Sequence, residues 1–340
     1  MNPALSAILL VPRGFDELTG TVAHLRAQTI RSRLQVVVVA GPAGAASVDG
    51  RLLDGFAAVD VVPVAAIPTV AAGIVAALPH ARGEIVALVE DHAFLEPEWA
   101  ARVCEAFGSG CAAVAPLMLN PNPATATSWM NFLVSFMDAV APAGPGEIEY
   151  GPGHNTSYRR AVLERYGAEL RALLQTERNF HYRLRADGYV LRAAPDARLA
   201  HMNISLPRVA FRQAWIGGVM FGHYRAAGMP LWERVARTLL APLVPPVRFR
   251  RMRRVASRVP EESVAPTLAW VMVPLALALH AAGEAAGYWR LVPDVEAKYE
   301  FFELQRIACV RPEERRLMTG GETAAACYPA APISASNRRS

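Results

Sequence analysis

The sequence predicts an α/β fold with a mostly parallel, open sheet and a helical region after it. Short apolar runs alternate with segments of helical periodicity as far as about residue 116, which is how successive βαβ units look along a chain. The character of the sequence changes near residue 207, beyond which long apolar segments flank a cluster of arginines. With 340 residues, of which 53% are hydrophobic and 19% charged, the chain can bury one full α/β core and still supply a second region.

The predicted sheet begins in the first 116 residues. Apolar runs of strand length occupy residues 6–11, 34–40, 59–64, 84–89 and 112–115. Between them, apolar residues recur at helical spacing over residues 17–28, 70–78 and 97–107. Because parallel strands end in loops at one edge of their sheet, we expect ligands to bind along the edge formed by the C-terminal ends of the strands.

Residues 117–207 continue the α/β pattern with weaker signals. Helical periodicity covers residues 128–140 and 176–188, and another helix begins near Arg160. Strand-like segments follow at residues 189–193 and 197–201. The pattern ends near Pro207, so we predict a first domain at residues 1–207.

The next region, predicted as residues 208–300, is helical and apolar. Residues 235–247 are apolar with three prolines and residues 264–282 are almost wholly apolar; between them lie six arginines, Arg248, Arg250, Arg251, Arg253, Arg254 and Arg258. A membrane-spanning helix needs about 20 apolar residues, and Pro266 and Pro274 interrupt the second apolar segment. We expect this region to associate with the cytoplasmic face of a membrane, either peripherally or with one C-terminal span. Ordinary core helices are the alternative.

Charge and cysteine content narrow the classes of function. The formal net charge is +5, but 30 acidic residues accompany the 35 basic ones, and no basic stripe interleaved with aromatic residues precedes residue 245. Nucleic acid is therefore not expected as a partner. The four cysteines form no Cys-x-x-Cys pair, which is typical of a protein in the reducing cytoplasm. Residues 301–340 are predicted to be a tail, largely disordered after residue 311.

Residues 86–92, Val-Ala-Leu-Val-Glu-Asp-His, carry the first chemical motif. Side chains alternate along a strand, so Glu90 and His92 are expected on one side and Asp91 on the other side or in the turn. A carboxylate and an imidazole two residues apart can hold a divalent cation against a diphosphate, and manganese accepts the imidazole. A solvated strand end without a ligand is the alternative.

This strand end, with the Pro97 and Trp99 that follow it, resembles the acidic Asp-x-Asp motif of glycosyltransferase family 2. Glu90 and His92 occupy the two Asp positions. The resemblance implies the fold of the nucleotide-diphospho-sugar transferases. It also implies a divalent cation, Mn²⁺ or Mg²⁺, held by Glu90 and His92 against the donor diphosphate, with Asp91 among the donor-binding residues.

Two further segments near the N terminus bear on the donor. Residues 6–12 resemble the family's opening strand, which implies that Pro12 and Arg13 lie beside the donor nucleotide. Residues 40–42, Ala-Gly-Pro, stand where the family has an Asp that contacts the base. The identity of the nucleotide is therefore open.

Two later segments bear on the acceptor and the base. Residues 151–167 resemble the family's Gly-rich acceptor loop and the helix after it, which implies that His154 and Asn155 bind acceptor hydroxyls; a plain turn and helix cap are the alternative. Residues 175–189 resemble the helix start that carries the catalytic base, which implies that Glu177 is the base and that Arg183 binds the acceptor. A carboxylate in the first turn of a helix, after Thr176 as cap, is also favoured by the helix dipole alone.

His201, at the end of a predicted strand, stands where the family often has a histidine. The resemblance makes it a candidate ligand of the metal or the diphosphate, and a purely structural histidine is the alternative. Over residues 5–205 the resemblance implies an inverting, hexosyltransferase-like enzyme that moves a sugar from a nucleotide-sugar donor to a glycan or lipid-linked acceptor, as in the synthesis of a cell-envelope polysaccharide.

Two other functions remain as alternatives. One is a protein that binds a sugar nucleotide without turnover. The other is a nucleotidyltransferase, which would share the open sheet and the acidic strand end. Such enzymes usually have a Gly-rich, basic segment directly after the first strand, and residues 11–15, Val-Pro-Arg-Gly-Phe, contain little of one.

Overall fold

The structure is a computed structural model that describes residues 2–108, 110–140, 145–256 and 265–320. Three parts of the predicted features lie outside the described residues: Arg258 of the arginine cluster, Val264 at the start of the second apolar segment, and residues 321–340 of the predicted tail.

Nine strands form one sheet in the described residues. They are β1 (Leu5–Val11), β2 (Leu34–Ala40), β3 (Ala58–Pro63), β4 (Ile85–Leu88), β5 (Ala93–Leu95), β6 (Ala113–Leu119), β7 (Gly146–Ile148), β8 (Ser157–Arg159) and β9 (Leu191–His201). Their order is β3-β2-β1-β4-β8-β6-β9-β5, and β7 also pairs with β9. The five strands predicted before residue 116 are all present, and the two segments predicted at 189–193 and 197–201 form the single strand β9.

The sheet is mixed, so the prediction of a mostly parallel sheet is wrong. Strands β3, β2, β1 and β4 are parallel neighbours, as are β6 and β9. Strand β8 runs antiparallel to both β4 and β6, and β5 and β7 run antiparallel to β9. The three antiparallel strands are each three residues long, which is too short for a recognisable alternation of apolar and polar residues.

Helices cover both faces of the sheet. The first eight are α1 (Thr19–Arg26), α2 (Pro42–Ser47), α3 (Val70–Ala77), α4 (Trp99–Phe107), α5 (Ala126–Val140), α6 (Arg160–Arg165), α7 (Leu170–Leu174) and α8 (Glu177–Ala186). The last six are α9 (Pro207–Arg225), α10 (Leu231–Leu240), α11 (Val244–Ala256), α12 (Thr267–Tyr288), α13 (Val295–Leu304) and α14 (Arg315–Met318).

Alternate residues of β1 pack into two apolar cores on opposite faces of the sheet. Leu5, Leu9 and Val11 pack with residues of α1 and α4, whereas Ile8 and Leu10 pack with residues of α3, α7 and α8. A strand covered on both faces needs apolar residues at nearly every position. This requirement explains why β1 and β2 are buried throughout and are apolar at every position except Ser6 and Gln35.

Helices α9 and α12 pack together through glycines. A Cβ atom at Gly218 of α9 would lie 2.0 Å from the carbonyl oxygen of His280, and one at Gly283 of α12 would lie 2.2 Å from that of Trp215. Gly222 and Gly287, one turn further along each helix, are equally close to the partner backbone. The two backbones can approach this closely because glycine has no side chain.

Among the described residues, α12 is the helix that is long and apolar enough to cross a membrane. It also packs against α5, α9 and α11, and its Ala269, Val273 and Leu277 belong to the same apolar core as Leu5 of β1. The predicted boundaries at residues 207 and 300 therefore mark a change in composition, while the apolar core is continuous across both.

The C-terminal segment is folded as far as residue 318, so residues 312–318 are an exception to the largely disordered tail predicted after residue 311. A 3-10 turn, Pro312–Glu314, leads into α14, and Leu317 and Met318 are buried. Glu314 contacts the Ser205 hydroxyl and accepts a hydrogen bond from Asn122 Nδ2 (3.3 Å). One buried carboxylate and two apolar side chains produce no periodicity, so composition alone could not reveal this segment.

The glycine contacts predict a difference between two adjacent substitutions on α9. Gly218→Ala should lower the free energy of unfolding by about 1–3 kcal/mol, since the new methyl group meets backbone atoms that no side-chain rotation can move. Gly217→Ala is the matched control, because its Cβ would lie 3.6 Å from Tyr299 Cε2 and alanine improves helix propensity by up to about 1 kcal/mol. Chemical denaturation of both variants measures the difference; equal stability would contradict the packing.

Candidate active site

A cavity of about 400 Å³ opens where β4 and β9 end and the C-terminal helices begin. It is lined by Glu90 after β4, His201 at the end of β9, the loop of residues 151–155, the first turn of α8, and residues of α9, α11, α12 and α13. The cavity therefore lies at the edge of the sheet that the sequence indicates. It brings five predicted site residues together: Glu90, His154, Asn155, Glu177 and His201.

A buried carboxylate and two buried imidazoles form one end of the site. Glu90 and His92 lie in the turn between β4 and β5, closed by a hydrogen bond from Ala93 N to Glu90 O (3.1 Å). The antiparallel register of β5 and β9 places His201 opposite Ala93. As a result, the Nε2 atoms of His92 and His201 are 3.1 Å apart, and Glu90 Oε2 is 3.4 Å from His201 Nε2.

Asp91 orients His92 and does not line the cavity. Its carboxyl group contacts His92 Nδ1, which leaves the Nε2 lone pair of His92 directed at His201 and Glu90. Burial lowers the pKa of both His92 and His201 to about 4, so both rings are neutral near pH 7. Burial also raises the pKa of Asp91 to about 7, and the Glu90 carboxylate adds to that rise.

These residues fit a divalent cation. The ligand atoms of Glu90, His92 and His201 all lie within 4.8 Å of one another. Bonds of about 2.0–2.2 Å to one ion separate neighbouring ligand atoms by roughly 3 Å, close to the distances of 3.1 and 3.4 Å found here. Two neutral imidazoles and a carboxylate suit Mn²⁺ and related ions. Within the described part of the chain a second such group, Glu90, His154 and Glu303, shares the same carboxylate.

The Gly-rich loop connects this group to Glu177. Asn155 Nδ2 donates to Glu90 Oε2 (2.9 Å), and His154 Nδ1 contacts Glu177 Oε1. Burial opposes protonation of His154, but the Glu177 carboxylate outweighs burial and raises the pKa of His154 to about 10. A protonated His154 therefore pairs with Glu177 at neutral pH. Glu177 begins α8 as predicted, but Thr176 accepts a hydrogen bond from Asn179 Nδ2 (2.8 Å) and makes no side-chain cap.

His181 of α8 supports the same loop from behind. Gly151 N donates to His181 Nδ1 (3.2 Å), so the proton of the neutral ring is on Nε2, which lies 2.7 Å from Tyr158 Oη. Burial lowers the pKa of His181 to about 3, and the charge of Arg178 adds to this effect. The loop that carries His154 and Asn155 is thus held by a neutral, fully buried histidine.

Two site residues that were missed in the sequence come from the end of α13 and from the 3-10 turn after it, Arg306–Ala308. Glu303 and Arg306 line the cavity, are buried, and pair with each other (3.1 Å). Helix α13 is fixed to α3 by Glu300, whose carboxylate accepts a hydrogen bond from Val70 N (3.0 Å). One feature of the sequence could have indicated these site residues: two acidic residues at i and i+3, Glu300 and Glu303, lie among the apolar residues of a short helix.

Five predicted site residues lie outside the cavity lining: Asp91 and His92, which lie behind Glu90 and His201, and Pro12, Arg13 and Arg183. Pro12 and Arg13 follow β1, and Arg13 pairs with Glu17 (2.7 Å). Arg183 is half exposed on α8 and pairs with Asp187 (2.9 Å). The structure gives Arg183 a surface ion pair away from the cavity lining. Helical periodicity alone does not indicate which turn of a helix faces a cavity. The role of Arg183 as an acceptor ligand stays a prediction.

The contact between Asp91 and His92 predicts a loss of cation affinity in Asp91→Asn. The change should weaken Mn²⁺ binding about 10–100-fold, since the partner of a ligating histidine fixes the ring and its tautomer. Titration calorimetry measures it, with the exposed Asp54→Asn as the matched control. Normal binding in Asp91→Asn and His92→Ala, with loss in Glu303→Gln, would assign the cation to the second group.

The buried His181 predicts a pH dependence of stability. Its pKa is about 3 in the folded chain against an ordinary 6.5, so as the pH falls below 6.5 the unfolded chain takes up a proton that the folded chain does not. Stability from this residue is complete above pH 6.5 and declines by about 1.4 kcal/mol per pH unit below it. His181→Gln should be less stable at pH 7 but should lose less between pH 6.5 and 4.5, measured by urea unfolding; parallel profiles would contradict this.

No protein-family model and no curated protein matches the chain. Among solved structures, S. aureus TarS 1-349 in complex with UDP is similar with a TM-score of 0.43 and 13% identity, over 88% of this chain and 90% of that one. A longer S. aureus TarS structure gives a TM-score of 0.42 and 14% identity, over 88% of this chain and 55% of that one. This chain therefore spans about half the length of the longer TarS. At these values the likeness is partial, and the function proposed next rests on the site itself.

Proposed function

We propose that this chain is an inverting glycosyltransferase of the family 2 type, which moves a sugar from a nucleotide-sugar donor to a hydroxyl group of a glycan or lipid-linked acceptor. One observation carries the proposal. A carboxylate and imidazole group suited to a cation shares a single cavity with a second carboxylate, Glu177, at the start of a helix. Transfer from a nucleotide sugar needs these two parts: a charge that stabilises a diphosphate leaving group, and a base for the acceptor.

The donor end of the cavity is the group around Glu90. Glu90, His92 and His201 would hold Mn²⁺ or Mg²⁺, and such an ion neutralises the negative charge on a diphosphate leaving group. Asn155 fixes one carboxylate oxygen of Glu90, and Asp91 fixes the ring of His92. The roles of Pro12 and Arg13 beside the donor nucleotide stay predictions.

The acceptor end is Glu177 with His154. Glu177 would take the proton of the acceptor hydroxyl group while the oxygen of that hydroxyl group bonds to the anomeric carbon. The bond from that carbon to the diphosphate breaks, and its electron pair leaves with the nucleoside diphosphate. His154 holds the Glu177 carboxylate in position. Gly153, with φ of +47°, takes a left-handed conformation that favours glycine, and it lies beside Glu177.

We also propose that the enzyme works at the cytoplasmic face of a membrane and attaches peripherally. Helix α12 packs along α9, and the chain then returns to the cavity through Glu303 and Arg306. Both ends of α12 therefore belong to one folded body, which favours attachment over a span. A soluble fragment ending near residue 230 would lack α12 and α13, so surface substitutions are the better test of attachment.

Two other functions predict different products. A nucleotidyltransferase would release pyrophosphate or a nucleotide monophosphate ester. A protein that binds sugar nucleotides without turnover would release nothing. With Mn²⁺ or Mg²⁺ present, release of a nucleoside diphosphate from a panel of nucleotide sugars identifies the glycosyltransferase. Release of pyrophosphate from a nucleoside triphosphate and a sugar phosphate identifies the nucleotidyltransferase, and release of neither identifies the binding protein.

The role of Glu177 predicts the behaviour of Glu177→Gln. Turnover should fall by about two to four orders of magnitude, the usual worth of a general base, while donor affinity stays near that of the parent. Glu164→Gln is the matched control, since Glu164 is exposed on α6 and pairs with Arg160. Turnover in Glu177→Gln within a few-fold of the parent would refute the assignment.

A further inference from the structure

We propose that the acceptor is a membrane-anchored lipid that carries a phosphate group in addition to the hydroxyl group that receives the sugar, and that it enters the cavity from the bilayer through the opening between α9, α11 and α12. This inference rests on the proposed function and names the substrate class of the same cavity. Four observations support it: an exposed apolar surface, the charge beside it, its continuity with the cavity, and two arginines in the cavity wall.

The exposed apolar side chains are concentrated in one part of the chain. Of the large hydrophobic residues that the described part of the chain exposes, all but Val59, Val61 and Tyr182 lie in residues 231–291. The six most exposed are Leu231, Trp232, Leu239, Val247, Val271 and Leu291. We call the exposed apolar side chains of residues 231–291 the docking surface. An apolar surface of this kind marks a contact with a membrane or a partner.

The helices that carry the docking surface lie side by side. Trp289 Nε1, at the end of α12, donates to Thr238 Oγ1 of α10 (2.9 Å). Further along, Phe249 of α11 stacks edge-on against Trp270 of α12, with ring centres 6.1 Å apart. The segment from α10 to α11 therefore runs along α12, and their exposed residues are neighbours.

The charge beside the docking surface fits an anionic bilayer. Residues 231–256 contain seven arginines and a single acidic residue, Glu233. Arg250, Arg251, Arg253 and Arg254 are exposed on α11. Apolar residues that enter the acyl region, with arginines at the level of the headgroups, are the arrangement of an interfacial helix. Trp232 and Trp289 supply the aromatic residues that favour the same boundary.

One helix connects the docking surface to the cavity. Val244 and Arg248, one turn apart on α11, line the cavity. Leu243 and Val247, the residues just before them, are exposed on the docking surface. The cavity and the docking surface are thus separated by the width of one helix, about 10 Å. A lipid chain that remains in the bilayer can place its headgroup in the cavity over that distance.

The cavity wall near α11 suits a phosphate with an apolar chain behind it. Arg178 of α8 and Arg248 of α11 line the cavity. Both line the cavity with His280, whose Nδ1 lies 3.5 Å from Arg248 Nη1. Burial lowers the pKa of His280 well below its usual range, and both guanidinium charges add to this effect. Two arginines at one place favour phosphate. Phe221 and Val244 supply apolar wall beside them.

The first test measures the docking surface in the full chain. Flotation with phosphatidylcholine vesicles, with and without phosphatidylglycerol, should recover the protein with the anionic vesicles. The double variant Leu239→Glu, Val247→Glu should lose most of that binding. Val61→Glu is the matched control, an exposed apolar residue on the edge strand β3. Unchanged vesicle binding in the double variant overturns the proposal that the docking surface binds the bilayer. A parent protein that is a dimer by light scattering, and a double variant that is a monomer, would also overturn it, because the surface would then bind a second copy of the chain.

The second test measures the acceptor site with three probes: farnesyl phosphate, farnesol and inorganic phosphate. Farnesyl phosphate should bind at least about tenfold more tightly than either of the others, and Arg248→Ala or Arg178→Ala should weaken it about tenfold, the worth of one charge-assisted contact. Arg250→Ala is the matched control. Circular dichroism of each variant, and the conservative variant Arg248→Lys, identify a loss of binding that is due to a failure to fold. Equal binding of inorganic phosphate, or unchanged affinity in both arginine variants, overturns the lipid acceptor.

The same samples separate this inference from the function on which it rests. Release of a nucleoside diphosphate from the donor, without binding of farnesyl phosphate, overturns the lipid acceptor alone. Binding of farnesyl phosphate, without release from any nucleotide sugar, overturns the glycosyltransferase alone.

Discussion

The close approach of α9 and α12 is the constraint on which the rest of the structure depends. Four glycines allow two helix backbones to meet at distances that no side chain permits. Each glycine costs about 1 kcal/mol of helix propensity relative to alanine, so the contact costs roughly 4 kcal/mol before any packing is counted. Burial of α12 against the sheet core offsets this cost. Because α13 follows α12 directly, the same contact sets where Glu303 and Arg306 reach the cavity.

The site places several ionisable side chains in buried positions, and the way in which they are paired reduces the cost of burying them. Buried ionisable groups are costly unless they are paired or neutralised. Glu303 is paired with Arg306, and Glu177 with His154. The imidazoles of the Glu90 group escape the cost by remaining neutral. As a result, Glu90 contacts a neutral ring, that of His201, and lies near the charged His154, whereas Glu177 contacts His154 directly, so the two ends of the cavity differ in chemistry.

Much of the fold could be predicted because strands buried on both faces read as continuous apolar runs. The same rule did not predict β7 and β8, since a strand of three residues is too short to show a pattern. The antiparallel pairing of these strands makes the sheet mixed. Glu90, His154, Glu177 and His201 were found through a resemblance in order and spacing. Glu303 was not predicted, because it lies far along the chain from those residues. Only the packing of α12 brings it to the cavity.

Because Glu303 lies in the cavity wall, the cavity is completed only late in the synthesis of the chain. The sheet and the loop of residues 151–155 are complete once the ribosome has passed residue 207, but the cavity lacks one wall until α13 has been made and docked on α3. At about 5–20 residues per second, that wall follows roughly 5–20 s later. A nascent chain therefore lacks the complete cavity, and with it the proposed activity, until the end of synthesis is near. A message truncated before the codon for residue 303 yields a chain that lacks this wall.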